Sequence, residues 1–127
     1  MTTIGVTERF STWNQRTEVH DWKRHAERLV RAGSHPYTII RPGWFDYNND
    51  DEHRIVMLQG DRRHAGTPED SMISREQIAQ VLVSALTNNE AKNKTFELVA
   101  GRGEAQQDLA PLFGDLRSDD PQKMMTF

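Results

Sequence analysis

The chain is 127 residues long, carries a formal net charge of −3 and has no cysteine. Its apolar fraction of 35% suits one domain with a modest core, and the lack of cysteine removes disulfides, thiolate metal sites and cysteine nucleophiles. Mixed charge with no basic run argues against nucleic acid or an anionic membrane as partner. With no bilayer-spanning apolar run and no signal-peptide pattern, a cytoplasmic chain with a small-molecule or protein ligand is expected.

Met1 to Val6 reads as the end of a β-rich strand with no room for its earlier part, which is unusual for a complete domain. Thr7 to Arg16 is polar, with isolated Phe10 and Trp13, and reads as a loop. A helix is expected from an N-cap at Thr17 to Ala32, stopped by Gly33. Val19, Trp22, Ala26, Leu29 and Val30 recur at helical spacing and predict a buried face, with Lys23 and Glu27 set for an i, i+4 ion pair.

Tyr37 to Ile40 suits a short central strand buried on both faces, and Pro42-Gly43 ends it. In an open α/β sheet the ligand crevice lies just beyond the carboxyl ends of the strands, so Arg41 to Phe45 would stand at its mouth. Asp46, Asn48 and Asp50 alternate like calcium ligands. However, Asp51 replaces the required turn glycine and Met57 the bidentate glutamate, so an acidic solvated loop is the better reading.

Arg54 to Gln59 is a second strand candidate, followed by a polar loop containing Gly66 and Pro68. Ser74 and Gln77 form a capping box and Ile73 with Ile78 a hydrophobic staple. Ile78, Val81, Leu82, Ala85 and Leu86 then line the apolar side of the next helix. Thr95 to Ala100 is a last strand. Gly101-Arg102-Gly103 is a turn rather than a phosphate loop, because Gln106 holds the third glycine position. Gln107 to Leu116 reads as a short helix interrupted at Pro111, which makes residues 1–116 one α/β domain and 117–127 a flexible tail.

The helix with Lys23 and Glu27, the run Tyr37 to Gly43, the run Ile73 to Ala79 and Thr95 to Val99 follow one another as in the second half of an atypical short-chain dehydrogenase/reductase. The chain most resembles the NmrA-like and NAD-dependent epimerase/dehydratase-like groups. The resemblance covers Met1 to about Leu116. It implies a partial Rossmann-like α/β fold with a small, mostly parallel sheet flanked by two amphipathic helices, lacking the N-terminal nucleotide-binding half with its glycine-rich fingerprint. It implies NAD or NADP as cofactor and no metal. Thr2 and Thr3 match the family's hydroxyl position at a strand end, Lys23 the lysine on the nicotinamide ribose, and Pro42-Gly43 the turn against the nicotinamide. Arg41, Trp44 and Phe45 then fall on the substrate side, with Lys23 and Thr3 in the catalytic positions. Hydride-transferring members usually place tyrosine four residues before that lysine. Here the position is Val19, which has no proton to donate, and His20 beside it points about 100° away on a helix.

Each of these residues also has a plainer structural reading. Lys23 fits a snorkelling surface lysine paired with Glu27 as well as a cofactor contact. Trp22 and Trp44 fit packing, and Arg41 fits a strand cap or a partner for Asp46 to Asp51. His25, His53 and His64 lack metal-ligand spacing. The strand at Met1 to Val6 would expose an open apolar edge, which predicts a homo-oligomer through that edge or local refolding that protects it. The expected function is a truncated NAD(P)-binding oxidoreductase-like protein, not competent alone, that keeps the nicotinamide and substrate side of the site. The alternative is a non-enzymatic interaction module that self-assembles or binds a protein partner through the sheet edge.

Overall fold

A computed structural model describes residues 1–45, 49–62 and 72–120. Asp46 and Asn48 of the calcium-like pattern, His64, Gly66, Pro68 and the tail from Pro121 lie outside the described residues.

The first helix, α1 (Thr12–Thr17), occupies part of the segment expected to be a loop. Ser11 caps it by accepting from the Asn14 N–H, and Asn14 is buried, so a polar sequence still gains a helical turn. Glu18, at φ 58°, breaks the chain between α1 and α2 (Val19–Ala32). Asn14 joins the two helices by donating to Asp21 Oδ1 at 3.0 Å and accepting from the Asp21 N–H at 3.1 Å.

Three strands follow in the order β1–β3–β2. β1 (Thr38–Pro42) runs parallel to β3 (Lys94–Gly101), and β2 (Arg54–Leu58) runs antiparallel to it. β3, not the Tyr37 to Ile40 stretch, is thus the middle strand of this sheet. Met1 to Val6 is only partly strand-like. Thr2 and Ile4 donate backbone N–H groups to Ile40 and Pro42 carbonyls at 2.9 and 3.0 Å, a parallel spacing, but Pro42 has no N–H to return. The segment then curls into a turn in which Ile4 and Val6 are buried. Just past the carboxyl end of β1, Gly43 prolongs the pairing with β3 by donating to Leu98 O at 3.0 Å, and its φ is not positive.

The sheet has two chemically different faces. On one, Ile40, Ile55, Phe96, Leu98 and Ala100 pack beneath Ile73 and the Ile78 and Val81 side of α3 (Arg75–Thr87), with Ala91 and Phe113 closing the core. Phe113 meets Phe96 edge to face at 6.0 Å. On the other face, Arg41 stands in register with Glu97, and Ile39 with Thr95. α3 carries the expected capping box, but only part of its expected stripe is inside, since Leu82 is 40% and Leu86 84% exposed.

Pro111 does not interrupt a helix. It sits in the first turn of α4 (Ala110–Gly114), where the missing N–H has no helical partner to lose. The start of the tail is docked rather than frayed: Arg117 N–H donates to Gln59 Oε1 at 3.0 Å and Asp119 N–H to Asn93 O at 2.8 Å.

Ser74→Ala removes the hydroxyl that accepts from the Gln77 N–H but keeps the backbone N–H that donates to Gln77 Oε1, and a loss of about 1 kcal/mol in urea unfolding is expected, with the m-value unchanged.

Candidate functional site

The helix α2 meets the sheet through charge. Its one buried residue is Glu27, and its apolar residues face outward, with Trp22 67%, Leu29 63% and Val30 46% exposed. This reverses the expectation of a buried stripe at Val19, Trp22, Ala26, Leu29 and Val30, and Trp22 is not a packing residue. The reason lies in the sheet face beneath. Arg41, Thr95 and Glu97 offer polar partners there, so the helix turns its carboxylate inward.

Glu27 does not pair with Lys23. Its carboxylate takes Arg41 in a two-pronged contact at 2.8 and 3.1 Å, accepts the Thr2 hydroxyl at 2.6 Å and lies 3.4 Å from Arg31. A planar guanidinium matches a carboxylate geometrically in a way an ammonium does not. Burial pushes the Glu27 carboxyl up, but the hydrogen bonds and charges of Arg41, Thr2 and Arg31 outweigh it and leave it below its ordinary value. Arg41 also reaches Asp61 at 3.1 Å.

The network continues along α2. Arg31 donates to the Thr95 hydroxyl at 3.0 Å and to Asp119 at 3.3 Å, and Asp119 also accepts from Tyr37 and Thr95 at 2.8 Å each. Burial and the neighbouring Asp119 carboxylate push the Tyr37 phenol up to about 12. Glu97 is the strained member. It is 2% exposed, one oxygen accepts from the Arg62 N–H at 3.0 Å, and the other has no hydrogen-bond partner among the described residues. Burial and the nearby Asp61 charge raise its carboxyl above the ordinary range.

Because Arg24 bonds Val6 O and Arg31 bonds Thr95, α2 runs against the strand direction. Lys23 therefore lies one turn nearer the carboxyl ends of the strands than Glu27, half-buried, with no ion pair among the described residues. Thr2, Thr3, Pro42 and Gly43 come together where the N-terminal segment runs beside the end of β1. The Thr2 hydroxyl is committed to Glu27, while Thr3 is half-buried with no side-chain bond among the described residues. Trp44 and Phe45 are each 39% exposed. Trp44 O accepts from Ile73 N–H at 2.8 Å, and Arg75 lies 5.5 Å over the Phe45 ring. The expected residues thus cluster at one end of the sheet, but Arg41 points away from Trp44 and Phe45 into the network under α2. His20 lies against Glu8 O at 3.5 Å. Among the described residues no group of side chains is arranged to hold a metal ion, and no helix is long and apolar enough to cross a membrane.

Sequence reasoning missed the partners of Glu27. The available signal was a glutamate flanked at i−3 and i+4 by arginines on a helix whose apolar stripe lay on another side.

Residues 1–89 match the model of a family described as NAD(P)H-binding. Sanguinarine reductase of Eschscholzia californica is 35% identical over 98 residues, 75% of this chain and 35% of that protein. An uncharacterized chloroplastic protein of Arabidopsis thaliana is 36% identical over 95 residues, 72% of this chain and 29% of that protein. The chain spans about a third of the length of these relatives. A wide-type short-chain dehydrogenase/reductase from Veillonella parvula, solved in complex with NADP, shares the fold at TM-score 0.54 and 17% identity, covering 77% of this chain and 48% of that one.

Two carboxylates with opposite shifts give opposite pH responses. Glu27, held low, contributes stability that is present above the unfolded value near 4.3 and is lost as pH falls through its depressed folded value. Glu97, held high, lowers stability as pH rises from that unfolded value through its raised folded value. Urea melts from pH 3 to 8 should show Glu27→Gln destabilised by about 3 kcal/mol at neutral pH. Glu97→Gln should be more stable than the parent at neutral pH by about 1 kcal/mol, with the difference vanishing in acid.

Proposed function

Since this chain belongs to the NAD(P)H-binding family whose model its residues 1–89 match, we propose that it carries the nicotinamide and substrate side of an NAD(P)-dependent oxidoreductase site. In this reading it is a truncated member that is not catalytically competent alone. The observation that carries it is that Thr2, Thr3, Pro42 and Gly43 meet at the carboxyl end of β1, where open α/β sheets bind ligands, with half-buried Lys23 one turn of α2 nearer that end than Glu27. Lys23 would hold the nicotinamide ribose with an ammonium that no side chain among the described residues engages, and Thr3 would supply a hydroxyl with no side-chain bond among them. Trp44 and Phe45, with Arg75 above the Phe45 ring, form the wall against a small-molecule substrate. Val19 leaves that site without the usual proton donor, and the phosphate-binding glycine turn has no counterpart in the chain. A partner polypeptide supplies the remaining nucleotide contacts. The chain acts in the cytoplasm in this reading, although the Arabidopsis thaliana relative is named as chloroplastic.

A second reading, a self-assembling interaction module, is favoured by the exposed stripe on α2. At 100° per residue, Val30, Ala26, Trp22 and Leu29 lie on the side of the helix opposite Arg24, Arg28 and Arg31. The arginines face β3 and the segment after β2, so the stripe overhangs the outer edge at Thr2 to Ile4. An edge segment that pairs with no further strand among the described residues, beside an apolar helix face, suits a second copy of this chain, which would add strand to strand and helix to helix.

Titrating NADPH and NADH into the purified chain, read by nucleotide fluorescence, should give saturable micromolar binding that Lys23→Ala weakens about tenfold, with no nucleotide oxidation. No saturation at millimolar nucleotide would overturn the first reading. Sedimentation of the same samples should show concentration-dependent dimers that Leu29→Asp returns to monomer, and a strictly monomeric parent would overturn the second.

A further inference from the structure

A groove of about 750 Å³ lies away from the carboxyl end of β1, between α2, the end of β2 and the C-terminal segment. Lys23, Thr3, Gly43, Trp44 and Phe45 do not line it. Six arginines do: Arg24, Arg28, Arg31, Arg41, Arg62 and Arg117. This concentration stands out in a chain whose net charge is −3.

Their partners divide them into two sets. Arg31 and Arg41 are held by Glu27, Asp61 and Asp119, and Arg24 by Asp21 and Val6 O. The guanidinium groups of Arg28, Arg62 and Arg117 form no ion pair among the described residues. They stand on three different elements, and each has a fixed backbone. Arg28 is in the middle of α2, Arg62 N–H is bonded to buried Glu97, and Arg117 is clamped by Gln59 through both its N–H and its carbonyl. Asp115 and Asp120 also line the groove near Arg117, so the positive excess is local and modest. Met57, Leu58, Leu112 and Leu116 give the groove an apolar wall.

We propose that this groove is a second binding site, for a small organic molecule with an apolar body and two anionic groups, phosphate or carboxylate, gripped by Arg28, Arg62 and Arg117. Its volume lies within the range of small-molecule sites. Guanidinium forks on separate rigid elements suit paired anionic groups better than a single one, because each recognises phosphate or carboxylate oxygens bidentately. The site is independent of the nucleotide reading above, since it shares none of the groups assigned to the nicotinamide.

The test is calorimetric titration of inorganic pyrophosphate into the full chain at low salt, with orthophosphate and succinate as single-phosphate and dicarboxylate comparators. Pyrophosphate should saturate at least tenfold more tightly than orthophosphate. Arg28→Ala and Arg117→Ala should each weaken it about tenfold and together about a hundredfold, since a charged hydrogen-bonded contact is lost in each. Neither side chain bonds another described residue, and an unchanged urea midpoint would confirm that the variants fold. Succinate binding that responds to the same variants would assign the site to carboxylates as well. The proposal is overturned if pyrophosphate does not bind, if the arginine variants bind it as the parent does, or if Lys23→Ala weakens it equally. The last result would place the anion at the carboxyl end of β1 instead.

Discussion

The buried Glu27 carboxylate joins three parts of the chain that are far apart in sequence: the N-terminal segment through Thr2, β1 through Arg41, and its own helix through Arg31. Without it, α2 would have no buried side chain on the sheet and a desolvated guanidinium would be left at Arg41. A buried ion pair of this kind adds little net stability over an apolar contact, but removing one partner is costly, so its effect is to fix how the helix is rotated. That rotation sends the arginines of α2 toward β3 and the apolar stripe outward, and it sets Lys23 near the end of β1.

The two sheet faces divide stability from chemistry. The α3 face is a continuous apolar cluster running from Ile40 through Phe96 to Phe113, and its burial supplies the cohesive energy of the domain. The α2 face holds the groups whose ionisation is perturbed: Glu27, Arg41, Glu97 and Tyr37. Glu97 departs most from an optimised interior, with one carboxylate oxygen unpartnered among the described residues, beside Asp61. Such a group costs stability and persists where the surrounding structure fixes it.

The matched part of this chain spans about a third of the length of its relatives, and the chain matches about half of the structurally similar dehydrogenase. Thr2 to Ile4 run beside β1 at one side of the sheet. The same side presents Trp22 and Leu29, so an open backbone edge and an open apolar face occur together. The charged groove lies on the far side of α2, so the two surfaces present opposite chemistry.

Much of this was readable in the residues themselves. The capping box at Ser74 and Gln77, the β-branched run before Pro42 and the Thr95 to Ala100 strand depend on local propensity and hydrogen bonding, which neighbouring residues determine. The NAD(P)-binding family was legible too, because its motifs are short and local in sequence. What the sequence did not determine was the rotation of α2. Hydrophobic periodicity identified an amphipathic helix correctly, but which side turns inward depends on the surface beneath. That surface is assembled from Arg41, Thr95 and Glu97, which come from strands far apart in sequence. The Lys23 and Glu27 spacing favoured a local ion pair, and a guanidinium fourteen residues away won because a buried, bidentate contact outcompetes a solvated one. The groove likewise exists only once α2, the end of β2 and the Arg117 segment have been brought together by tertiary packing.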